Sequence, residues 1–247
     1  MNILICNDDG IESVGITALA KQLSKKNNVL VVAPESNRSA CSHSLTIFKP
    51  IKIKEGNSRE YTSYSISGTP ADCVKVAKLK FPEFRADVVL AGINDKHNLG
   101  SDILYSGTVA IALESSFFDN VSFAFSAFTL DEKNLDIYCD YAEKIIDKFL
   151  PLSENGTAWN VNFPEISAEN IKGIKVTPLG KQIYTDRYIQ TEDGQIMLVG
   201  ELVNHNQNPT DCDIEWIKQG YITITPILFN KTDYKKLEKI NKLCIEL

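Results

Sequence analysis

Asp8 and Asp9 are adjacent carboxylates followed at once by Gly10, and they end the short apolar run Ile3-Leu-Ile-Cys6. Paired acidic oxygens in a turn are suited to holding a hard divalent cation or to moving a proton. Polar donors recur in comparable places. Asn37, Arg38 and Ser39 follow the run Val29-Leu-Val-Val-Ala33, and Asn94 follows Asp87-Val-Val-Leu-Ala91 through Gly92 and Ile93. Taken singly, each is an ordinary turn or solvated loop, because Asp, Asn, Ser and Gly are what turns are made of. Their recurrence after three apolar runs is the informative feature.

Those runs are apolar throughout rather than alternating, the pattern of strands buried on both faces of a parallel sheet. The first leads into a stretch with Ile16, Leu19, Ala20 and Leu23 on one helical face, so the chain opens as a β-loop-α unit. Thr69 is placed to cap a helix beginning at Pro70 and running to about Leu79. A further helical run covers Val109 to Ser115, and Leu135, Tyr138, Ala142, Ile145 and Phe149 mark a strong amphipathic helix. Strands are expected at Val121 to Ser126 and Ala158 to Phe163. This alternation predicts an α/β fold: a Rossmann-like, doubly wound, mostly parallel sheet. In such sheets ligands bind beyond the carboxyl ends of the strands, where Asp8, Asp9, Ser39 and Asn94 all fall.

Beyond residue 171 the pattern changes. Ile174 to Thr177, Ile183 to Gln190 and Ile196 to Val203 suggest strands, the last two joined by the hairpin signal Glu192-Asp-Gly-Gln195. Alternation is poor in these arms, and arms without a clear inner face often pack against another subunit. Tyr221 to Pro226 is a final strand, and Leu237, Ile240, Cys244 and Leu247 fall on one face of a C-terminal helix. The expected organisation is therefore a metal- and phosphate-binding core over 1–170, with 171–247 an oligomerisation extension rather than an independent domain.

A length of 247 residues with 43% hydrophobic content suits one large folded unit. The net charge of -6 argues against a long nucleic-acid groove, which needs a basic surface. No run approaches the roughly 20 apolar residues of a membrane span, and no secretory leader pattern opens the chain, so a cytoplasmic location is expected. Six scattered cysteines and three histidines form no zinc-type spacing. Hydroxyl, amide and carboxylate oxygens without Cys or His make a hard site, favouring Mg²⁺ or Mn²⁺ over zinc. Ser106, Gly107 and Thr108 precede a helix, whose N-terminal N–H groups and dipole favour an oxyanion such as phosphate, with Asn98 nearby.

Asn7-Asp-Asp-Gly10, Asn37-Arg-Ser39, Gly68-Thr-Pro-Ala-Asp72, Gly92-Ile-Asn94, Asn98-Leu-Gly100, Tyr105-Ser-Gly-Thr108 and Gly220-Tyr-Ile-Thr-Ile-Thr-Pro226 together resemble the SurE family of metal-dependent 5'-nucleotidases, in order and over nearly the whole chain. The resemblance implies a Rossmann-like domain, a C-terminal hairpin extension exchanged between subunits of a homodimer or homotetramer, and one divalent ion per subunit. It carries over Asp8, Asp9, Ser39 and Asn94 as metal ligands, with Asp8 and Asp9 also catalytic, and Asn37, Asn98, Ser106, Gly107 and Thr108 as phosphate contacts. The implied substrates are nucleoside 5'-monophosphates, with 3'-nucleotides and short polyphosphate as further candidates. One departure stands out: Asp95-Lys96-His97 occupies a position where many members have Ala-Gly-Pro. That tripeptide either aids phosphate binding or is a bulkier loop. The attacking group is a water positioned or deprotonated by the ion, or one of the two carboxylates; the sequence leaves both open. Two other classes compete. A receiver-like signalling module also pairs acids after its first strand, but it is half this length and needs an Asp where Asn94 stands. A dinucleotide-dependent oxidoreductase would need a G-x-G-x-x-G that no strand here carries.

Overall fold

In the computed structural model, which describes residues 1–128, 130–203 and 208–241, the opening apolar run forms a strand whose side chains enter two cores in alternation. Ile3 and Ile5 join one hydrophobic cluster, Leu4 and Cys6 the other. A strand with both faces buried needs cover on both sides, and helices supply it.

The chain runs β1 (Asn2–Cys6), α1 (Val14–Ser24), β2 (Asn28–Pro34), β3 (Ile53–Glu55), β4 (Thr62–Ile66), α2 (Pro70–Lys80), β5 (Val88–Asn94), α3 (Gly107–Phe117) and β6 (Val121–Ser126). It continues through α4 (Glu132–Phe149), β7 (Ala158–Asn162), β8 (Ile174–Val176), β9 (Arg187–Gln190), β10 (Ile196–Val199), α5 (Asp213–Lys218), β11 (Ile222–Ile227) and α6 (Tyr234–Asn241). Nine strands form one sheet in the order β3-β4-β2-β1-β5-β6-β7-β11-β8, and β9 pairs with β10 apart from it. Pairings from β4 to β7 are parallel, whereas β11 runs antiparallel to β7 and β3 antiparallel to β4. This is the expected doubly wound, mostly parallel sheet with a C-terminal hairpin.

The two faces differ in what fills them. On one, α1 and α4 cover a core in which Tyr138 stacks on Phe163, with ring centroids 4.6 Å apart, and Phe163 on Phe125. On the other, α2 and α3 pack through Val74, Ala77, Val109 and Ala112, small side chains that let the helices lie close to the strands. The start of α2 is fixed by a capping box, in which the Thr69 hydroxyl accepts from the Asp72 N–H and Asp72 accepts from the Thr69 N–H, with Pro70 at the first helical position. The same Asp72 carboxylate also accepts the Thr46 N–H, tying the loop after β2 to the cap.

Two sequence expectations change. The third apolar run spans Asp87 to Ala91; β5 continues beyond it to Asn94, with its register on β6 shifting between Ala91 and Asn94. Gly92 makes this possible: its φ is +116°, and a Cβ there would lie 2.3 Å from the Phe125 carbonyl oxygen. The helix expected from Val109 begins two residues earlier, at Gly107. In the C-terminal helix, Leu237 and Ile240 are both exposed, while Cys244 and Leu247 lie outside the described residues.

Candidate functional site

The sheet order places β2, β1 and β5 side by side, and the chain winds to one side of β1 through β2 and β4 before crossing to β5 on the other. The carboxyl ends of β1 and β5 therefore flank the topological switch point, where open α/β sheets leave a crevice. Asp8 and Asp9 follow β1, and Asn94 is the last residue of β5. The Asn7 side chain closes the turn before them, its amide donating to the Gly10 carbonyl at 2.8 Å and its oxygen accepting the Gly10 N–H at 3.2 Å.

The loop after β2 is drawn onto this turn. Arg38 N–H donates to the Asp8 carbonyl at 2.7 Å, and the Asn37 amide donates to Asp9 Oδ1 at 3.3 Å. Asn37 Oδ1 in turn accepts the Ser39 N–H at 2.9 Å. Asn37 thus joins Asp9 to Ser39, an organising position that its sequence reading as a phosphate contact did not foresee.

Helix α3 approaches from the opposite side. A Cβ on Gly107 would lie 2.7 Å from Asp8 Cβ and 2.9 Å from Pro70 Cγ, so only glycine lets the helix start this close. Ser106 is the N-cap, its hydroxyl accepting the Val109 N–H at 3.0 Å. The Thr108 hydroxyl, fully buried, donates to Asp8 Oδ1. Of the three residues expected to meet a phosphate here, Ser106 faces the cleft, while Gly107 and Thr108 meet Asp8.

Burial raises the Asp8 carboxyl above the usual aspartate range, and the hydrogen bonds from Thr108 offset part of the rise. Asp9 is raised to about 7, first by burial and then by the charges of Asp8 and Asp95. Its Oδ2 is buried without a hydrogen-bond partner. Two desolvated acids side by side, one with an orphaned oxygen, lack the positive charge that their burial calls for. A divalent cation fits that deficit. Among the described residues no group of three or more His, Cys, Asp or Glu is arranged to hold a metal ion; of the residues expected as ligands, all of them oxygen donors, Asp8, Ser39 and Asn94 line one cleft, with Asp9 beside Asp8 but outside its lining.

Asn98 is held from every direction. Its N–H donates to Asn162 Oδ1 at 2.8 Å, its amide to Ser126 Oγ at 2.7 Å, and its carbonyl accepts from Asn160 and Asn162. These polar residues at the ends of β6 and β7 escaped the sequence reading; the asparagines inside Ala158-Trp-Asn-Val-Asn162 were the available signal. Between Asn94 and Asn98, the Asn94 amide donates to the Lys96 carbonyl, and His97 Nε2 donates to the Phe163 carbonyl at 2.6 Å. His97 is thereby engaged in the scaffold, whereas Lys96 lines the cleft with its ammonium 5.3 Å from the Phe128 ring centroid.

The cleft has a volume of about 700 Å³. One wall is the strand-end group Asp8, Ser39, Asn94, Asn98 and Ser106. The other combines the 3₁₀ turn Gly100–Leu104 and Tyr105 with the foot of the β9–β10 hairpin. Buried Asp213 joins the parts of this second wall, accepting the N–H groups of Gly100 and Gly180 at 2.7 Å each. Sequence patterning offered no sign of Asp213 or of α5, which is too short for helical periodicity.

Fold and site define an α/β protein with a cluster of oxygen-bearing side chains at its switch point, faced by a helix N-terminus. The family model described as survival protein SurE matches residues 3–186, and the chain belongs to that family. A relative named 5'-nucleotidase SurE from Clostridium botulinum (strain 657 / Type Ba4) is 43% identical over 98% of this chain and 99% of its own. Another of the same name, from strain Eklund 17B / Type B, is 39% identical with the same coverage. The crystal structure of the SurE protein from Aquifex aeolicus superposes with a TM-score of 0.80 at 34% identity, covering 97% of this chain and 98% of that one.

Proposed function

We propose that the protein is a divalent-metal-dependent phosphatase that hydrolyses nucleoside 5'-monophosphates to nucleoside and phosphate. The observation that carries this reading is the pair of buried Asp8 and half-buried Asp9 at the switch point, with Asp9 Oδ2 unpartnered and the N-terminus of α3 directed at Asp8. The name borne by the relatives, 5'-nucleotidase, supports the choice of substrate.

Asp8, Asp9, Ser39 and Asn94 would hold one Mg²⁺ or Mn²⁺ per subunit. When bound, that ion supplies Lewis-acid polarisation of the phosphoryl oxygens. The remaining roles belong to the chain. Thr108 holds Asp8 in one rotamer, and Asn37 does the same for Asp9. The Ser106 hydroxyl, which accepts its capping bond from Val109, keeps its own O–H to donate to a phosphoryl oxygen. The positive end of α3 stabilises charge on the transferring group, and Asn98 sits beside it in the cleft. A carboxylate oxygen of Asp8 or Asp9 would accept the proton of an attacking water. The exposed hairpin would serve homodimer or homotetramer assembly. Neither a membrane nor a long nucleic acid is a partner in this reading, and the cytoplasm is its setting.

The test is phosphate release from 5'- and 3'-nucleoside monophosphates and short polyphosphate, with Mg²⁺, Mn²⁺ or EDTA, on wild type and Asp9→Asn. EDTA-sensitive release from 5'-monophosphates that Asp9→Asn lacks is the expected result. Release that survives EDTA, or an Asp9→Asn protein of full activity, would overturn the metal assignment.

A further inference from the structure

The helix that meets Asp8 also holds, further along, the loop that carries Ser39. Glu114 lies on α3 beyond Thr108, about 9 Å further along the axis. It is 6% exposed, and a buried carboxylate calls for charged or hydrogen-bonding partners. Two other elements supply them. Lys75 of α2 brings its Nζ to 2.7 Å from Glu114 Oε1, and His43, from the loop after β2, brings its Nε2 to 2.7 Å from Oε2. A carboxylate accepts only, so the ring nitrogen carries the hydrogen and donates. None of these three side chains lines the cleft, and the hydrolytic step uses none of them.

What the contact fixes is the stretch between the cleft and His43. Ser39 and Ala40 line the cleft. Upstream, Ser39 is tied to the acid turn through Asn37 and the Arg38 N–H. Downstream, Ala40 and Ser42 take φ values of +56° and +53°, left-handed backbone that residues with a Cβ adopt only where their surroundings impose it. The Ser42 N–H bond to the Tyr105 carbonyl, at 3.0 Å, closes part of this turn. His43 comes next, and its ring fastens the strained segment to α3.

We propose that His43 is a positioning residue of the cation centre: by donating to Glu114 it fixes the loop after β2, so that the Ser39 hydroxyl stays in place beside Asp8. This rests on the phosphatase reading, in which Ser39 is a ligand of the ion, and deepens it. Helix α3 then sets two donors at once. Its first turn abuts Asp8 through Gly107 and Thr108, and Glu114 holds the loop that carries Ser39. Partners that orient a ligand in this way govern metal affinity without touching the metal.

The experiment measures Mn²⁺ affinity by titration calorimetry on wild type, His43→Ala, His43→Gln, Ser39→Ala and the His43→Ala/Ser39→Ala double variant, with phosphate release from AMP followed in parallel. His43→Ala is expected to weaken Mn²⁺ binding about tenfold. His43→Gln, whose amide can still donate to Glu114, should recover most of that loss. Ser39→Ala and the double variant should agree within about twofold, because the position of an absent hydroxyl has no value. A His43→Ala protein of wild-type affinity, or losses that add in the double variant, would overturn the proposal, since a purely structural staple acts independently of Ser39. His43 is partly exposed, so its truncation leaves the core intact. A second readout needs neither metal nor turnover: trypsin should cut the metal-free His43→Ala protein after Arg38 severalfold faster than wild type, with the site identified by mass. An unchanged rate of cutting would equally overturn the proposal. If wild type binds no Mn²⁺ and releases no phosphate, the phosphatase reading fails separately, and the trypsin comparison still decides whether His43 fixes the loop.

Discussion

The turn after β1 and the β9–β10 hairpin are opposites in how they are supported. Asp8 is enclosed by the loop after β2, by α3 and by Pro70, so its carboxylate has one place to be. The hairpin carries Ile196, Met197, Leu198, Tyr188 and Ile189 all exposed, on both of its faces. Its two arms are closed at the foot by the Tyr184–Leu202 bridge and the Val203 N–H to Ile183 carbonyl bond, and the foot is attached through Ser101 to the Gln182 backbone and through Tyr184 to Asp102. The residues proposed to act on the reacting atoms are fixed by the packing of the whole sheet. The hairpin that lines the opposite side of the cleft is an arm whose own side chains are exposed.

The contrast can be broken first at the acid pair. Asp8→Asn should lower metal-dependent turnover on the order of a thousandfold, equivalent to several kcal/mol of transition-state stabilisation, while circular dichroism stays native. Gly107→Ala tests the close approach. The new methyl would push α3 off Asp8, and a shift of about 1 Å should cost roughly a hundredfold in kcat, measured by phosphate release. Thr108→Val keeps shape but removes the hydroxyl that orients Asp8, for an expected loss of about tenfold in metal affinity by titration calorimetry. Replacing the hairpin beyond its foot, residues 187–199, by a short glycine turn should change Tm by less than roughly 2 °C. Its effect should appear in KM, because Leu198 lines the cleft.

The smallest effect concerns stability without metal. The Asp9 carboxyl titrates at about 7 in the folded protein, above its range of about 4 in the unfolded chain. Between those values the folded state binds more protons, so metal-free stability falls as pH rises through that window. In EDTA at pH 8, Asp9→Asn should therefore be more stable than wild type by about 1 kcal/mol, the rise being discounted for partial exposure, with the gap closing toward pH 5. Saturating Mg²⁺ should reverse the order by stabilising the wild type selectively.

How far the sequence reached follows from the range of each signal. Ile3 to Cys6, Val29 to Ala33 and the face of α4 were legible because burial on a strand or helix face writes a local period. Asp8, Asp9 and Asn94 were legible as strand-end residues for the same reason. The partner of Asp8 is Thr108, a hundred residues away, so a residue that looked like part of an anion site proved to hold a carboxylate. Asn160 and Asn162 were read only as strand, since what they grip is the backbone of Asn98. The position of β11 between β7 and β8 had no local signature, because strand order is set by which edges remain unpaired after the core has formed.

The grip on Asn98 also has a measurable signature. Its N–H is bound by the Asn162 side chain on β7 and its carbonyl by Asn160 and Asn162, so the Asn98 N–H should exchange with solvent only when that part of the sheet opens, as slowly as the core strands. The hairpin amides are bonded only between its own two exposed strands and should exchange sooner. The strand-end wall is thus tied into the core of the sheet, whereas the second wall is joined to it through the bonds of the hairpin foot to Ser101 and Asp102.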